Sequence, residues 1–240
     1  MFKNFCIERP KQRCLVPAWD LGIVLKALQL SPLESLDLIS FKLFTYKCCF
    51  LLALATGRRR SELHALSVSE SCIRFAADKS SVTLLTDPAF LAENQLSEKG
   101  SGVIVIPALP NSGPTNLCPV RTLLRSKDSN RFFVPIKQGK NDITAKAISS
   151  WICNTVILAY KSSEITLPRN QVKAREVRAI ASSWSIFNSA SLTEMLSGGF
   201  WRSDNTFYYH YLRSLPQHTD NLYSLGPLVS AQKVIFPPTS

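Results

Sequence analysis

A basic triplet between two apolar segments constrains this chain more than any other feature. The apolar run Cys48–Ala55 stops at Thr56-Gly57, and the chain continues with Arg58-Arg59-Arg60. The pattern predicts a buried helix that ends at Gly57, where glycine permits a left-handed or open turn, and a second helix that begins directly after it. The first backbone N–H groups of that helix would add positive potential beside the guanidinium groups. The sequence therefore predicts an anion-binding turn, the alternative being a solvated basic patch.

The charge balance of the chain indicates a polyanionic partner. The 240 residues include 28 Lys and Arg against 17 Asp and Glu, which gives a formal net charge of +11. Such a balance favours nucleic acid, with an anionic membrane surface as the main alternative. The apolar run Cys48–Ala55 is far shorter than the roughly 20 residues that a bilayer requires, so we expect no membrane-spanning segment. No apolar signal region follows the first residues, which favours an intracellular protein.

The cysteine and histidine content argues against disulfides and metal sites. An odd number of cysteines without CxxC spacing is typical of reduced thiols in an intracellular protein. With only three histidines, a metal site is not expected. The seven cysteines are Cys6, Cys14, Cys48, Cys49, Cys72, Cys118 and Cys153.

The periodicity of apolar residues predicts an α+β fold that is mainly α-helical with a small antiparallel β-sheet. The runs CIRF, SVTLL and GVIVIP between residues 72 and 107 predict two or three short strands. We expect a basic N-terminal arm or linker over residues 1–20, one domain over 21–215 and a C-terminal tail over 216–240. Helices are predicted after Asp20, over Ser35–Ala55, within LCPVRTLL, over Asp142–Tyr160 with a cap at Asn141 or Asp142, over Gln171–Phe187, and near Leu192–Leu196 and Asn205–Leu212.

Three distant segments carry residues suited to phosphate chemistry. They are RRRSEL at 58–63, AREVRAIASSW at 174–184 and GGFWRSDNTFYYHYLR at 198–213. Arg175 and Arg178 are three residues apart, which makes them neighbours on one helical surface. Planar guanidinium groups bind phosphate oxygens in a bidentate manner. A tyrosine beside them is a candidate nucleophile, provided that a base or a cationic field assists it, and the arrangement requires no metal.

These residues resemble the catalytic domain of tyrosine recombinases, most closely the type encoded by DIRS-like retrotransposons. The family motif Thr-Gly-x-Arg-x-x-Glu-Leu is complete at Thr56, Gly57, Arg59, Glu62 and Leu63. The phrases SELHALSV, VTLLTDPAFLA, LCPVR and VRAIASSW resemble the DIRS subgroup, and the similarity covers roughly residues 9–215. The resemblance implies a tyrosine recombinase catalytic-domain fold over 21–215.

The resemblance implies roles for the residues of the two arginine motifs. Arg59 would be the first catalytic arginine, and Glu62 would orient the site. The second motif, His-x-x-Arg, falls on Arg175 and Arg178, so an arginine stands where the family has a histidine. Because arginine is a poor base, we expect weakened or lost DNA cleavage and retained phosphate binding.

The remaining roles implied by the resemblance fall on residues of the predicted sheet and of the segment near the C-terminus. The late His or Trp position of the family falls on Trp201. We assign the nucleophile to Tyr211, with Tyr208 and Tyr209 as alternatives. The general acid toward the leaving 5′ oxygen would be Lys99, with Lys79 as the alternative. The residues expected to contact DNA without taking part in the chemistry are Arg58, Arg60 and Arg202.

The function implied by this resemblance is breakage and rejoining of double-stranded DNA through a 3′-phosphotyrosine. It requires no cofactor, and it implies self-association on DNA as a synaptic tetramer and a nuclear location. A non-catalytic DNA-binding derivative is the alternative, favoured by Arg175 and by the short connection Thr122–Phe133. A generic basic scaffold is the third hypothesis. We expect the N-terminal core-binding domain of the family to be missing or reduced to the first forty or so residues, as in a fragment or a truncated element copy.

Overall fold

Helices make up most of the described chain, and a three-stranded antiparallel sheet accompanies them. The computed structural model describes residues 17–66, 72–85, 103–109, 115–126, 143–167, 172–187, 191, 193 and 211–212. The predicted α+β, mainly helical fold class is confirmed. The elements are α1 Leu21–Leu28, α2 Phe41–Thr56, α3 Arg60–His64, β1 Ile73–Phe75, β2 Ser81–Leu84, β3 Ile104–Pro107, a 3₁₀ turn Thr115–Leu117, α4 Pro119–Ser126, α5 Ala145–Ser162 and α6 Ala174–Phe187.

Helix α2 lies at the centre of the core and packs against α4, α5 and α6. Its residues from Thr45 to Thr56 are all buried, as expected of a helix without a polar face. The helix ends at Gly57, which has φ 59° and ψ 17° and donates its N–H to the Ala53 carbonyl at 3.0 Å. The left-handed turn predicted at Gly57 is therefore confirmed, and it fixes the direction in which the arginine triplet leaves the core.

The start of α2 was predicted wrongly. The helix begins at Phe41 rather than near Ser35, because the Ser40 hydroxyl accepts the Leu43 N–H at 3.4 Å and caps it. Residues 31–39 form turns instead. Phe41 is 48% exposed because it lies at the helix start, outside the packed turns.

Helix α1 matches its prediction. Asp20 caps it by accepting the Gly22 N–H at 2.6 Å, and its predicted apolar face is buried. The residues just before α1 are also attached to the core. Trp19 is buried with its ring 6.1 Å from that of Phe50, and the Ala18 N–H donates to Glu176 Oε2 at 3.3 Å. Residues 1–16 of the predicted arm lie outside the described residues.

The sheet has the order β1-β2-β3 with antiparallel pairing throughout. Leu84 pairs with Ile73 of β1 and with Ile104 of β3, so one end of the sheet carries the start of β1 and the β2–β3 connection. The β1–β2 turn lies at the other end, where Lys79 is exposed with φ 60°. The alternation of buried and exposed residues along β3 confirms the strand predicted from GVIVIP.

The two long C-terminal helices begin slightly later than predicted. The cap of α5 is Thr144, whose hydroxyl accepts the Ala147 N–H at 3.2 Å, and not Asn141 or Asp142. Helix α6 starts at Ala174 instead of Gln171. The structure describes Tyr211 and Leu212 from the helix predicted near Asn205–Leu212, and the one predicted near Leu192–Leu196 lies almost wholly outside the described residues.

The described cysteines lie within or beside the core. Cys48, Cys49, Cys72 and Cys118 are buried, and Cys153 is half-buried. Burial raises the pKa of Cys48 to about 12, which keeps that thiol protonated and unreactive. Over the described residues, no helix is both long and apolar enough to cross a bilayer.

Candidate phosphate-binding site

The turn after α2 gives the three consecutive arginines different environments. Arg58 is buried with 4% of its surface exposed, and the side chain of Arg59 is 34% exposed. Arg60 is exposed on the first turn of α3, and its Nη1 lies 3.5 Å from the hydroxyl of Ser149 on α5. The triplet is therefore not a uniformly solvated patch, because one guanidinium is inside the protein and one lies at its boundary.

Glu62 holds the start of α3 in place. Its Oε2 accepts the backbone N–H of Arg59 at 2.7 Å, while its Oε1 lies 3.6 Å from Arg59 Nη1. The carboxylate is nearly buried, with 5% of its side chain exposed. A buried carboxylate that binds both the backbone and the side chain of one arginine restricts that arginine to few conformations. Glu62 therefore orients the Arg59 guanidinium.

Arg178 of α6 lies beside this turn and is also buried, with 5% exposed. Burial lowers its pKa to about 10. The Glu62 charge opposes this shift, and the positive charges of Arg59 and Arg58 add to it. Burial likewise lowers the pKa of Arg58 to about 10, with Glu62 and Arg59 as the charges acting on it. Both guanidinium groups remain protonated at neutral pH, so three cationic side chains share one small region with Glu62.

Tyr211 joins the same region from the C-terminal part of the chain. The Arg178 guanidinium carbon lies 5.6 Å from the centroid of the Tyr211 ring, within the range of a cation–π contact. The Ser183 hydroxyl, on α6, donates to the carbonyls of Ala179 at 2.8 Å and Tyr211 at 3.3 Å. Ser183 is buried and thus links α6 to the backbone of Tyr211.

Ser183 was not predicted as a site residue. Its only sequence signal is its place five residues after Arg178 in the helix that carries the arginine motif. Serine inside a helix commonly bonds the carbonyl one turn earlier, as Ser183 does with Ala179, so the sequence offered no reason to expect a second contact.

Of the other predicted site residues, Arg175 and Lys79 are described by the structure, and the remaining five are not. Arg175 is exposed on α6, one turn before Arg178. Lys79 lies at the end of the sheet opposite Leu84 and Ile104, the strand residues on either side of the segment that contains Lys99. The predicted site residues that lie outside the described residues are Lys99, Trp201, Arg202, Tyr208 and Tyr209.

Solved structures of two DNA recombinases share the fold of this chain. Neither the family models nor the curated proteins contain a match to its sequence. The XerH site-specific recombinase, in a pre-cleavage complex with its difH substrate, is 14% identical with a TM-score of 0.52, over 84% of this chain and 52% of that one.

A lambda integrase dimer bound to a COC′ core site is also 14% identical, with a TM-score of 0.50 over 88% of this chain and 51% of that one. This chain spans about half the length of each of these two proteins. At such low identity the similarity concerns the fold alone. The mainly helical architecture with a small three-stranded antiparallel sheet agrees with it. The chain therefore has the fold of the tyrosine recombinase catalytic domain.

Proposed function

We propose that this chain is a DNA-binding recombinase domain that breaks and rejoins DNA through a 3′-phosphotyrosine. The observation that carries the proposal is the convergence of Arg59, Glu62, Arg178 and Tyr211, from three distant parts of the sequence, in one cationic region. Guanidinium groups bind phosphate oxygens through charge-assisted, bidentate hydrogen bonds. A backbone phosphate bound by Arg59 and Arg178 would lie beside the phenol of Tyr211.

The proposed reaction is an in-line displacement at a backbone phosphate. The Tyr211 hydroxyl oxygen attacks the phosphorus and releases its proton to solvent water, while the bond from phosphorus to the 5′ oxygen breaks. Arg59 and Arg178 stabilise the charge that develops on the non-bridging oxygens. Lys99 supplies the proton that the leaving 5′ oxygen takes up. The 5′ hydroxyl of a second strand reverses the step, so the energy of the bond is conserved and no nucleotide cofactor is required.

The finer parts of the proposal concern origin and assembly. The motif residues around Arg59 and the phrases shared with DIRS-like elements support an origin in a retrotransposon of that type, which implies a nuclear location and self-association on DNA. The formal charge of +11 supports a duplex DNA partner. The two solved structures named above are complexes of recombinases with DNA sites, which favours the same partner.

A non-catalytic DNA-binding derivative is the second candidate function. It is favoured by Arg175, which stands at the position where the resemblance places a histidine. In this case Arg59 and Arg178 would bind the DNA backbone, but nothing at residue 175 could accept a proton from the nucleophile. The two candidates predict the same DNA binding and differ in whether a covalent product forms.

A trapped covalent adduct tests the proposed chemistry. Incubation of the protein with nicked duplexes of randomised sequence is expected to give a denaturation-resistant protein–DNA adduct, because a nick releases the leaving strand and prevents rejoining. Tyr211→Phe is expected to abolish the adduct, whereas the matched variants Tyr208→Phe and Tyr209→Phe are expected to retain it. Persistent DNA binding without any adduct would refute the enzyme and leave the binding derivative.

DNA affinity tests the phosphate site against a generic basic scaffold. Arg59→Ala and Arg178→Ala are each expected to weaken duplex binding at least tenfold, because each removes an oriented, charged hydrogen-bond donor. The control Lys161→Ala removes one exposed charge at the end of α5 and is expected to weaken binding less than twofold. Fluorescence anisotropy at fixed salt measures all three variants, and thermal unfolding checks that each is folded. Equal losses in all three would favour the scaffold.

A further inference from the structure

Arg58 is a buried arginine for which the proposed reaction has no role. It follows the left-handed Gly57, and its backbone N–H lies 3.3 Å from the Thr56 hydroxyl oxygen. Its side chain is 4% exposed, whereas a residue that merely contacts DNA from the surface would be solvated. A buried arginine at the border of a phosphate site changes the local potential more than a surface arginine does, because the low-dielectric interior screens its charge less.

Three guanidinium groups interact electrostatically with one carboxylate at this turn. Glu62 is an acidic group that acts on both Arg58 and Arg178, and it contacts Arg59 directly. When Glu62 attracts the two arginines assigned to phosphate, it competes with the phosphate for them. The positive charge of Arg58 offsets part of the Glu62 charge and so weakens that competition. Arg58 thus acts through Glu62 and through the electrostatic potential, without contacting the ligand.

We propose that Arg58 makes this pocket selective for a phosphate group that carries two negative charges. The inference rests on the proposed function, since it takes the phosphate to bind at Arg59 and Arg178. The ligand class is a dianionic tetrahedral oxyanion, as found in a phosphate monoester at the end of a broken DNA strand or in free phosphate. Attack of a phenolate on a phosphodiester also creates a dianion, so the same selectivity would favour the reacting state over the bound substrate.

Two oxyanions of nearly equal size separate charge selectivity from packing. Tungstate is a dianion and perrhenate a monoanion, and both are tetrahedral. The wild-type protein is expected to bind tungstate at least tenfold more tightly than perrhenate in isothermal titration calorimetry at constant ionic strength. Arg58→Met keeps the length and apolar stem of the side chain and removes its charge. It is expected to weaken tungstate binding about tenfold and perrhenate binding only about threefold, because the missing charge acts twice as strongly on a dianion.

A charge-restoring variant and a measurement of folding serve as controls for this comparison. Arg58→Lys is expected to restore most of the tungstate preference, since it restores the charge. The thermal unfolding of each variant in anion-free buffer reports whether it is folded. Equal loss of both anions in a folded Arg58→Met protein, or no loss of either, would overturn the inference.

Arg178→Ala distinguishes failure of this inference from failure of the proposed function. It is expected to remove binding of both anions. If tungstate binds wild type and Arg178→Ala equally, the assignment of the phosphate site is wrong. An unchanged preference for tungstate over perrhenate in Arg58→Met rejects only the role of Arg58.

A nicked duplex with a 3′-phosphate is expected to bind wild type more tightly than one with a 3′-hydroxyl, and Arg58→Met is expected to lose that preference. Equal affinity of wild type for the two ends would exclude DNA ends as the source of the dianion.

Discussion

Arg175→His is expected to raise the single-turnover rate of adduct formation by about 100-fold or more, the usual contribution of a positioned acid–base residue. Arginine stays protonated in proteins and cannot accept the proton that a tyrosine nucleophile must lose, whereas a neutral imidazole can. The expected gain therefore comes from the proton-accepting ability of the new side chain. Rapid quenching of the protein with a nicked duplex, followed by denaturing electrophoresis, measures this rate.

The location of Arg175 makes this substitution a clean test. The residue is exposed on α6 and lies one turn before Arg178, so the two side chains start from neighbouring positions of the helix surface. An exposed substitution of this kind changes the free energy of unfolding by no more than about 0.5 kcal/mol. A large rate change therefore cannot be attributed to a change in stability.

Arg175→Gln is the matched control for the histidine variant. It removes the positive charge as the histidine does at high pH, but it cannot act as a base. We expect no rate gain from it. If the glutamine and histidine variants are accelerated alike, relief of charge repulsion explains the gain, and the acid–base hypothesis is wrong. If neither variant forms an adduct while both bind DNA, the non-catalytic derivative becomes the better description.

The elements that could be predicted from the sequence are those whose signals are local. The face of α1 and its Asp20 cap follow from apolar spacing and a short polar side chain. Gly57 marked the end of α2 because glycine adopts the left-handed conformation without a steric penalty. The predicted start of α2 was wrong because two serines, Ser35 and Ser40, both precede apolar residues. The choice of Ser40 depends on tertiary contacts of the intervening loop.

The candidate site could be predicted only in part, because its burial is a tertiary property. The motif register selected Arg59 from three consecutive arginines, but nothing in the triplet indicates that Arg58 is inside the protein. The contact of Ser183 with the Tyr211 carbonyl joins segments that the sequence separates by 28 residues. Such pairings depend on the packing of α6 against α2, and this packing cannot be predicted from the sequence of either segment alone.

The largest effect on stability is expected at Lys47, a fully buried lysine in the middle of α2. Its ammonium group donates to the carbonyls of Leu28 at 2.7 Å and Leu33 at 3.1 Å, and to Glu34 Oε2. Arg121 of α4 donates to the other oxygen of Glu34 at 2.9 Å. The Glu34 carboxylate thus joins α2 and α4 to the turns of residues 31–39.

Glu34→Ala is expected to lower the free energy of unfolding by about 3 to 5 kcal/mol, because it leaves the Lys47 charge buried without its carboxylate. Lys47→Ala is expected to cost a similar amount, since it leaves two carbonyls without a donor. Denaturant unfolding followed by circular dichroism measures both. The control Arg125→Ala breaks the exposed pair with Asp37, whose atoms are 3.8 Å apart, and is expected to cost less than about 1 kcal/mol.

The acid limb of the stability curve provides an independent check on this network. Desolvation raises the pKa of Glu34, but the hydrogen bonds from Arg121 and Lys47 outweigh it and hold the folded-state pKa below 4.5. A carboxyl whose pKa is lower in the folded state contributes stability above its unfolded value and loses it as the pH falls through the folded value. Wild type is therefore expected to lose this contribution below pH 4.5, and Glu34→Gln is expected to lack that part of the acid dependence. If the free energy of unfolding falls equally with acidic pH in the two proteins, Glu34 does not form an ion pair with Lys47 in solution. A carboxylate bound to a buried ammonium cannot titrate without a change in stability.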